Sequence, residues 1–133
     1  MTLQITAITA ALMGLLLLAL AIETVSHRFR TQAAFGDAQD PGLITATRSH
    51  GNLAEHAPIV LIMLGLLEYS GANATLVTSV AGVFVAARVA HVIGLHQKSV
   101  PGKAPLARQI GVIGTWLVML VLAGLLLFGA LAG

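Results

Sequence analysis

Cysteine is absent from the 133 residues. That excludes disulfides, thiolate metal sites and any thiol nucleophile carried by the chain, and leaves the redox compartment unread. Charge is scarce too: Asp, Glu, Lys and Arg together make up 9%, against about 25% in soluble domains. No cationic soluble face is left to hold nucleic acid. Aromatic residues are 5%, with a single tyrosine, Tyr69, as the one possible phenol. No glycine-rich phosphate loop, dinucleotide fingerprint or paired-carboxylate hydrolase site is present. His50 and His56 lack a consistent third ligand, so no metal site is expected.

What the chain has instead is apolar length. Hydrophobic residues are 57% and the mean hydropathy is +0.93. A transmembrane helix needs about 20 mostly apolar residues, and four runs qualify, at 3–25, 47–69, 73–96 and 107–131. They predict an all-α membrane protein, a four-transmembrane-helix up-down bundle forming one domain over 1–133. The first run reads as a retained span and not a signal peptide. No basic residue precedes it, and His27-Arg28-Phe29-Arg30 follows as a stop-transfer anchor.

Turn formers punctuate the runs. Gly36, Asp37, Asp40, Pro41 and Gly42 mark a loop over 31–44, and Pro101, Gly102 and Pro105 mark another. Ser70-Gly71-Ala72 makes a tight turn between the second and third helices. Arg28, Arg30, Arg48, Lys98, Lys103 and Arg108 gather at the first and third connections, while the tight turn has no cation. The positive-inside rule therefore places those two connections in the cytoplasm.

The polar residues within the spans form a pattern. Arg48, Asn52 and Glu55 are spaced i, i+4 and i+7, within about 60° of one another on a helix. Charge inside a span is costly and faces partners, water or a ligand. Because the helices alternate direction, the same membrane level also receives Arg88 and His91 from the third helix and Arg108 from the fourth. Glu55 and Arg88 are expected at similar depth, as an ion pair. Gly82, Ala86, Ala90 and Gly94 recur every four residues and predict a small-residue groove, with Arg88, His91 and Leu95 about 150° away from it. Gly111 and Gly114 suit close packing on the fourth helix. Glu23 is expected to pair with His27, and Glu68 to be solvated at the far face.

Several cations, an amide and a carboxylate suit a ligand with carboxylates and an amine. Glutathione fits, and so would other amphipathic anions. Arg48-Ser-His-Gly-Asn52-Leu-Ala-Glu55, followed by Pro58, resembles the R-x-x-x-N-x-x-E signature of the MAPEG family, the membrane-associated proteins in eicosanoid and glutathione metabolism. Arg88-Val-Ala-His91 resembles that family's third-helix motif, and His27-Arg28-Phe29-Arg30 the basic end of its first helix. The resemblance covers the whole chain in length, helix count and loop order.

That resemblance implies a homotrimer in a bacterial inner membrane, with glutathione between subunits at the cytoplasmic side. It implies that Arg48, Asn52, Glu55 and His91 hold the tripeptide, aided by Arg28 or Arg30 and by Arg88. Arg108 would act as the catalytic residue, stabilising the thiolate for attack on a lipophilic electrophile from the bilayer. Transferase or peroxidase-type activity is the implied chemistry. Leu95 stands where several catalytic relatives carry a tyrosine, and Gly51 where some carry an arginine. These departures keep a second reading open, a non-catalytic protein that binds lipid or acts as a scaffold. A small transporter subunit is a third, with few polar positions to line a path.

Overall fold

The computed structural model describes residues 2–98 and 102–132; Pro101, expected to help end the third helix, lies outside them. Four helices follow in order: α1 (Gln4–Thr31), α2 (Pro41–Tyr69), α3 (Ala74–His96) and α4 (Leu106–Ala132). Each is long and apolar enough to cross a membrane. The protein is an all-α, four-helix membrane bundle.

Caps explain where the helices begin and end. The α1 backbone N–H groups of Ile5 and Thr6 donate to Glu68 Oε1 and Oε2 at 2.9 and 2.8 Å. Glu68 is therefore not simply solvated, because it satisfies donors that a helix start leaves free. At its other end α1 runs on to Thr31, where Gln32 caps it in the left-handed conformation. The second helix starts at Pro41, well before residue 47. Asp40 and Pro41 look like loop formers but act as N-cap and first helical residue. Asp40 Oδ1 accepts from Leu43 N at 2.7 Å. Asn73 caps α3 in the same way, accepting from Thr75 N and Leu76 N at 2.9 and 3.2 Å. Gly71 makes the preceding turn with φ +81°.

The core is built from one face of α2. Leu53, Val60, Leu64 and Leu67 are buried at helical spacing and meet Phe84 of α3 and Leu122 of α4. The pairs α1–α2 and α3–α4 pack most extensively, while α1 and α4 have no contact among the described residues.

The α3–α4 crossing is a backbone contact. A Cβ at Gly94 would collide with the Arg108 backbone, and one at Gly111 would lie 2.5 Å from His91 Cβ. At Gly114 it would lie 2.9 Å from Ala87 Cβ. The glycines of α4 thus pack as expected, but the groove on α3 does not run along Gly82, Ala86, Ala90 and Gly94. Gly82 faces open space and Ala86 is exposed. Steps of four overshoot a 3.6-residue turn by about 40° each, so the expected stripe drifts around the helix. The true seam is Ala87, His91 and Gly94. His91 therefore sits at the crossing and not on the side opposite it.

Candidate functional site

Near the basic end, α2, α3 and α4 share a polar cluster inside the bundle. Asn52 lies about 17 Å into α2, Arg88 about 12 Å before the end of α3 and Thr115 about 14 Å into α4. The Arg88 side chain is 1% exposed. Its Nη2 donates to Asn52 Oδ1 at 2.7 Å and its Nη1 to Thr115 Oγ1 at 3.3 Å. Thr115 Oγ1 in turn donates to the Gly111 carbonyl at 2.8 Å.

The expected Glu55–Arg88 ion pair is absent among the described residues. Glu55 is exposed on α2, whereas Asn52 is half-buried and turned toward Arg88. The two positions differ by about 60° around the helix and 4.5 Å along it. Matching depth alone did not separate them. Arg88 is a buried cation held by two neutral oxygens, an expensive arrangement.

Among the described residues four buried side-chain polar atoms have no partner: Arg88 Nε, His91 Nδ1 and Ser49 Oγ on the basic side, and Thr6 Oγ1 in the first turns of α1. His91 is 2% exposed, with its backbone against Gly111. His56 lies one turn beyond Asn52, its Nδ1 bonded to the Asn52 carbonyl at 2.9 Å. Thr115 is a partner that the polar pattern of the sequence did not single out. Its signal was a lone hydroxyl in the long apolar run of α4, one turn after Gly111.

The other site residues lie on the surface of the single copy. Arg48, Glu55 and Arg108 are exposed. Arg108 sits in the first turn of α4, its backbone tight against Gly94. Arg28 Nη1 lies 3.2–3.3 Å from the carbonyls of Ala33, Ala34 and Gly36, closing its own loop. Arg30 Nη2 bonds His27 Nδ1 at 2.8 Å. Neither arginine bonds the polar cluster among the described residues. His27 is 3.7 Å from Asp40, and Glu23 bonds His96 of α3 at 2.9 Å, so the expected Glu23–His27 pair is replaced by contacts between elements.

The bundle thus gathers Asn52, Arg88, His91 and Thr115 and leaves Arg48, Glu55 and Arg108 open around them. Glu55 is 14 residues from each end of α2 (55 − 41 and 69 − 55), about 21 Å from either end. The open grooves of about 520 and 550 Å³ lie between α1 and α3 and are not lined by Arg48, Asn52 or Glu55.

Comparison with known proteins agrees with this architecture. The MAPEG family profile matches residues 6–128. Two curated relatives, both named "Inner membrane protein YecN", come from Escherichia coli strain K12 and from Escherichia coli O6:H1. Each is 32% identical over 124 residues, covering 92% of this chain and 91% of the relative. No solved structure matches significantly. With the profile covering nearly the whole chain, four spanning helices and the R-x-x-x-N-x-x-E motif on α2, this protein belongs to the MAPEG family.

Proposed function

We propose that this is an inner-membrane protein that binds glutathione between copies of itself, assembled as a homotrimer, with its two basic connections on the cytoplasmic side. The observation that carries the reading is the exposed Arg48–Glu55 face beside half-buried Asn52, which is bonded to buried Arg88. Charge within a span is costly unless it meets a partner, water or a ligand. A second copy covering that face, with a zwitterionic ligand in the crevice, removes the charge from lipid. Arg48 matches a carboxylate of the tripeptide, Glu55 its ammonium, and the Asn52 amide another polar group. His91 is buried at the α3–α4 crossing. Arg28 or Arg30 of an adjoining copy can close the mouth.

The chemistry that follows is thiol activation. A thiol of pKa about 8.5 is about 3% ionised at pH 7, and lowering that pKa by two units takes about 2.7 kcal/mol. Arg108 lies in the first turn of α4, where the guanidinium and the helix dipole both favour an anion. The thiolate then forms a C–S bond to a lipophilic electrophile entering from the bilayer and displaces its leaving group, a transferase reaction. With a hydroperoxide it cleaves the O–O bond, releasing the alcohol and a sulfenic acid that a second glutathione converts to the disulfide and water.

Glutathione titration of the detergent-purified protein tests the reading. Wild type is expected to bind, and Arg48→Ala and Glu55→Ala each to weaken binding by about tenfold or more, the loss of one charge-assisted bond. No binding by wild type at millimolar glutathione rejects it. Half-buried Leu95, which has no hydroxyl for the ligand, favours a second reading: the same crevice holds lipid or a partner without catalysis. Conjugation of a generic electrophile to glutathione by the purified protein counts against that alternative.

A further inference from the structure

We propose that Arg88 is a positioning residue that fixes which edge of the Asn52 amide faces the crevice, making this subsite specific for a hydrogen-bond acceptor. The inference rests on the glutathione reading above and sharpens it. A guanidinium can only donate, so the Asn52 atom it meets at 2.7 Å must be the carbonyl oxygen. The Nδ2 group then points away from Arg88 and makes no hydrogen bond among the described residues. Asn52 itself is half-buried and shares its stripe of α2 with exposed Arg48 and Glu55. An asparagine free to flip could meet either a donor or an acceptor. Held this way, it offers two N–H donors and rejects an ammonium.

The surroundings of Arg88 support a role beyond packing. Its side chain is 1% exposed and its other bond goes to Thr115 Oγ1, whose own proton is committed to the Gly111 carbonyl. The guanidinium is thus anchored on α4 and cannot rotate away from Asn52 without losing both contacts. No carboxylate neutralises it among the described residues. A buried cation without a counter-charge is costly, and buried ionic groups are often replaceable by apolar side chains of similar volume without loss of stability. The acceptor that fits the exposed amide edge is a carboxylate or peptide carbonyl oxygen of the tripeptide, while the ammonium is left to Glu55.

The discriminating variant is Asn52→Asp. Its carboxylate still accepts from Arg88 and neutralises it, but presents oxygen instead of N–H to the ligand. Wild type, Asn52→Asp, Asn52→Leu, Arg88→Met and the Asn52→Leu/Arg88→Met double variant are purified in detergent, melted, and titrated with glutathione. The expected result is an Asn52→Asp melting temperature at or above wild type, with affinity at least about tenfold weaker. Arg88→Met is expected to weaken binding in the wild-type background and to change nothing further once Asn52 is leucine. Unchanged affinity in Asn52→Asp, or an equal loss from Arg88→Met in both backgrounds, overturns the proposal. If wild type fails to bind at all, the glutathione reading falls and melting judges the Arg88–Asn52 contact on which the orientation depends: Asn52→Asp above Asn52→Leu upholds that contact, and the reverse order overturns the proposal.

Discussion

At the start of α1, two backbone N–H groups meet the Glu68 carboxylate, which comes from the last turn of α2 more than sixty residues later. The contact joins the ends of two helices on the face opposite the polar cluster. Glu68→Gln keeps the shape but removes the charge that favours a helix N-terminus. It is expected to cost about 1 kcal/mol, read as a lower melting temperature in detergent, with glutathione affinity unchanged. An unchanged melting temperature would mean that the contact does not tie the helices together. Side-chain partners of this kind were the least legible part of the sequence. Glu68, Glu23 and Arg88 each bond across helices, and sequence spacing reports only neighbours on the same helix. The Arg48, Asn52 and Glu55 stripe was legible because its members do share one helix.

For whole helices the sequence was far more legible, since the membrane imposes a length and an apolar composition on each span. Its errors fell at the ends, where Asp40-Pro41 can equally be a turn or a helix start, and in the α3 groove, where small residues every four positions drift off one face. The crossing at Gly94 gives a sharp contrast. Gly94→Ala places a methyl against the Arg108 backbone, which cannot move aside as a flexible side chain would. The expected cost is about 1–3 kcal/mol, together with loss of ligand binding as α4 and Arg108 shift. Gly82→Ala points into open space, and its melting temperature should match wild type to within about 0.5 kcal/mol of stability. Equal effects at the two positions would contradict the packing described for α3 and α4.

Across the whole molecule, the fold accounts for its polar residues in two different ways. Arg88, His91 and Thr115 are buried within one copy, whereas Arg48, Glu55 and Arg108 are not. The outer set lies on helices long and apolar enough to cross a membrane, and the proposed reading covers it with a neighbouring copy. Under that proposal each copy supplies half of a pocket, filled by a ligand whose charges mirror the exposed ones. The direct test is a structure of the assembled protein determined with millimolar glutathione. Continuous tripeptide density between copies is the expected result, with an acceptor oxygen on the Asn52 amide, an ammonium at Glu55 and the sulfur near Arg108. Copies that meet through other faces, leaving Arg48 and Glu55 against lipid with no tripeptide beside them, would contradict the account.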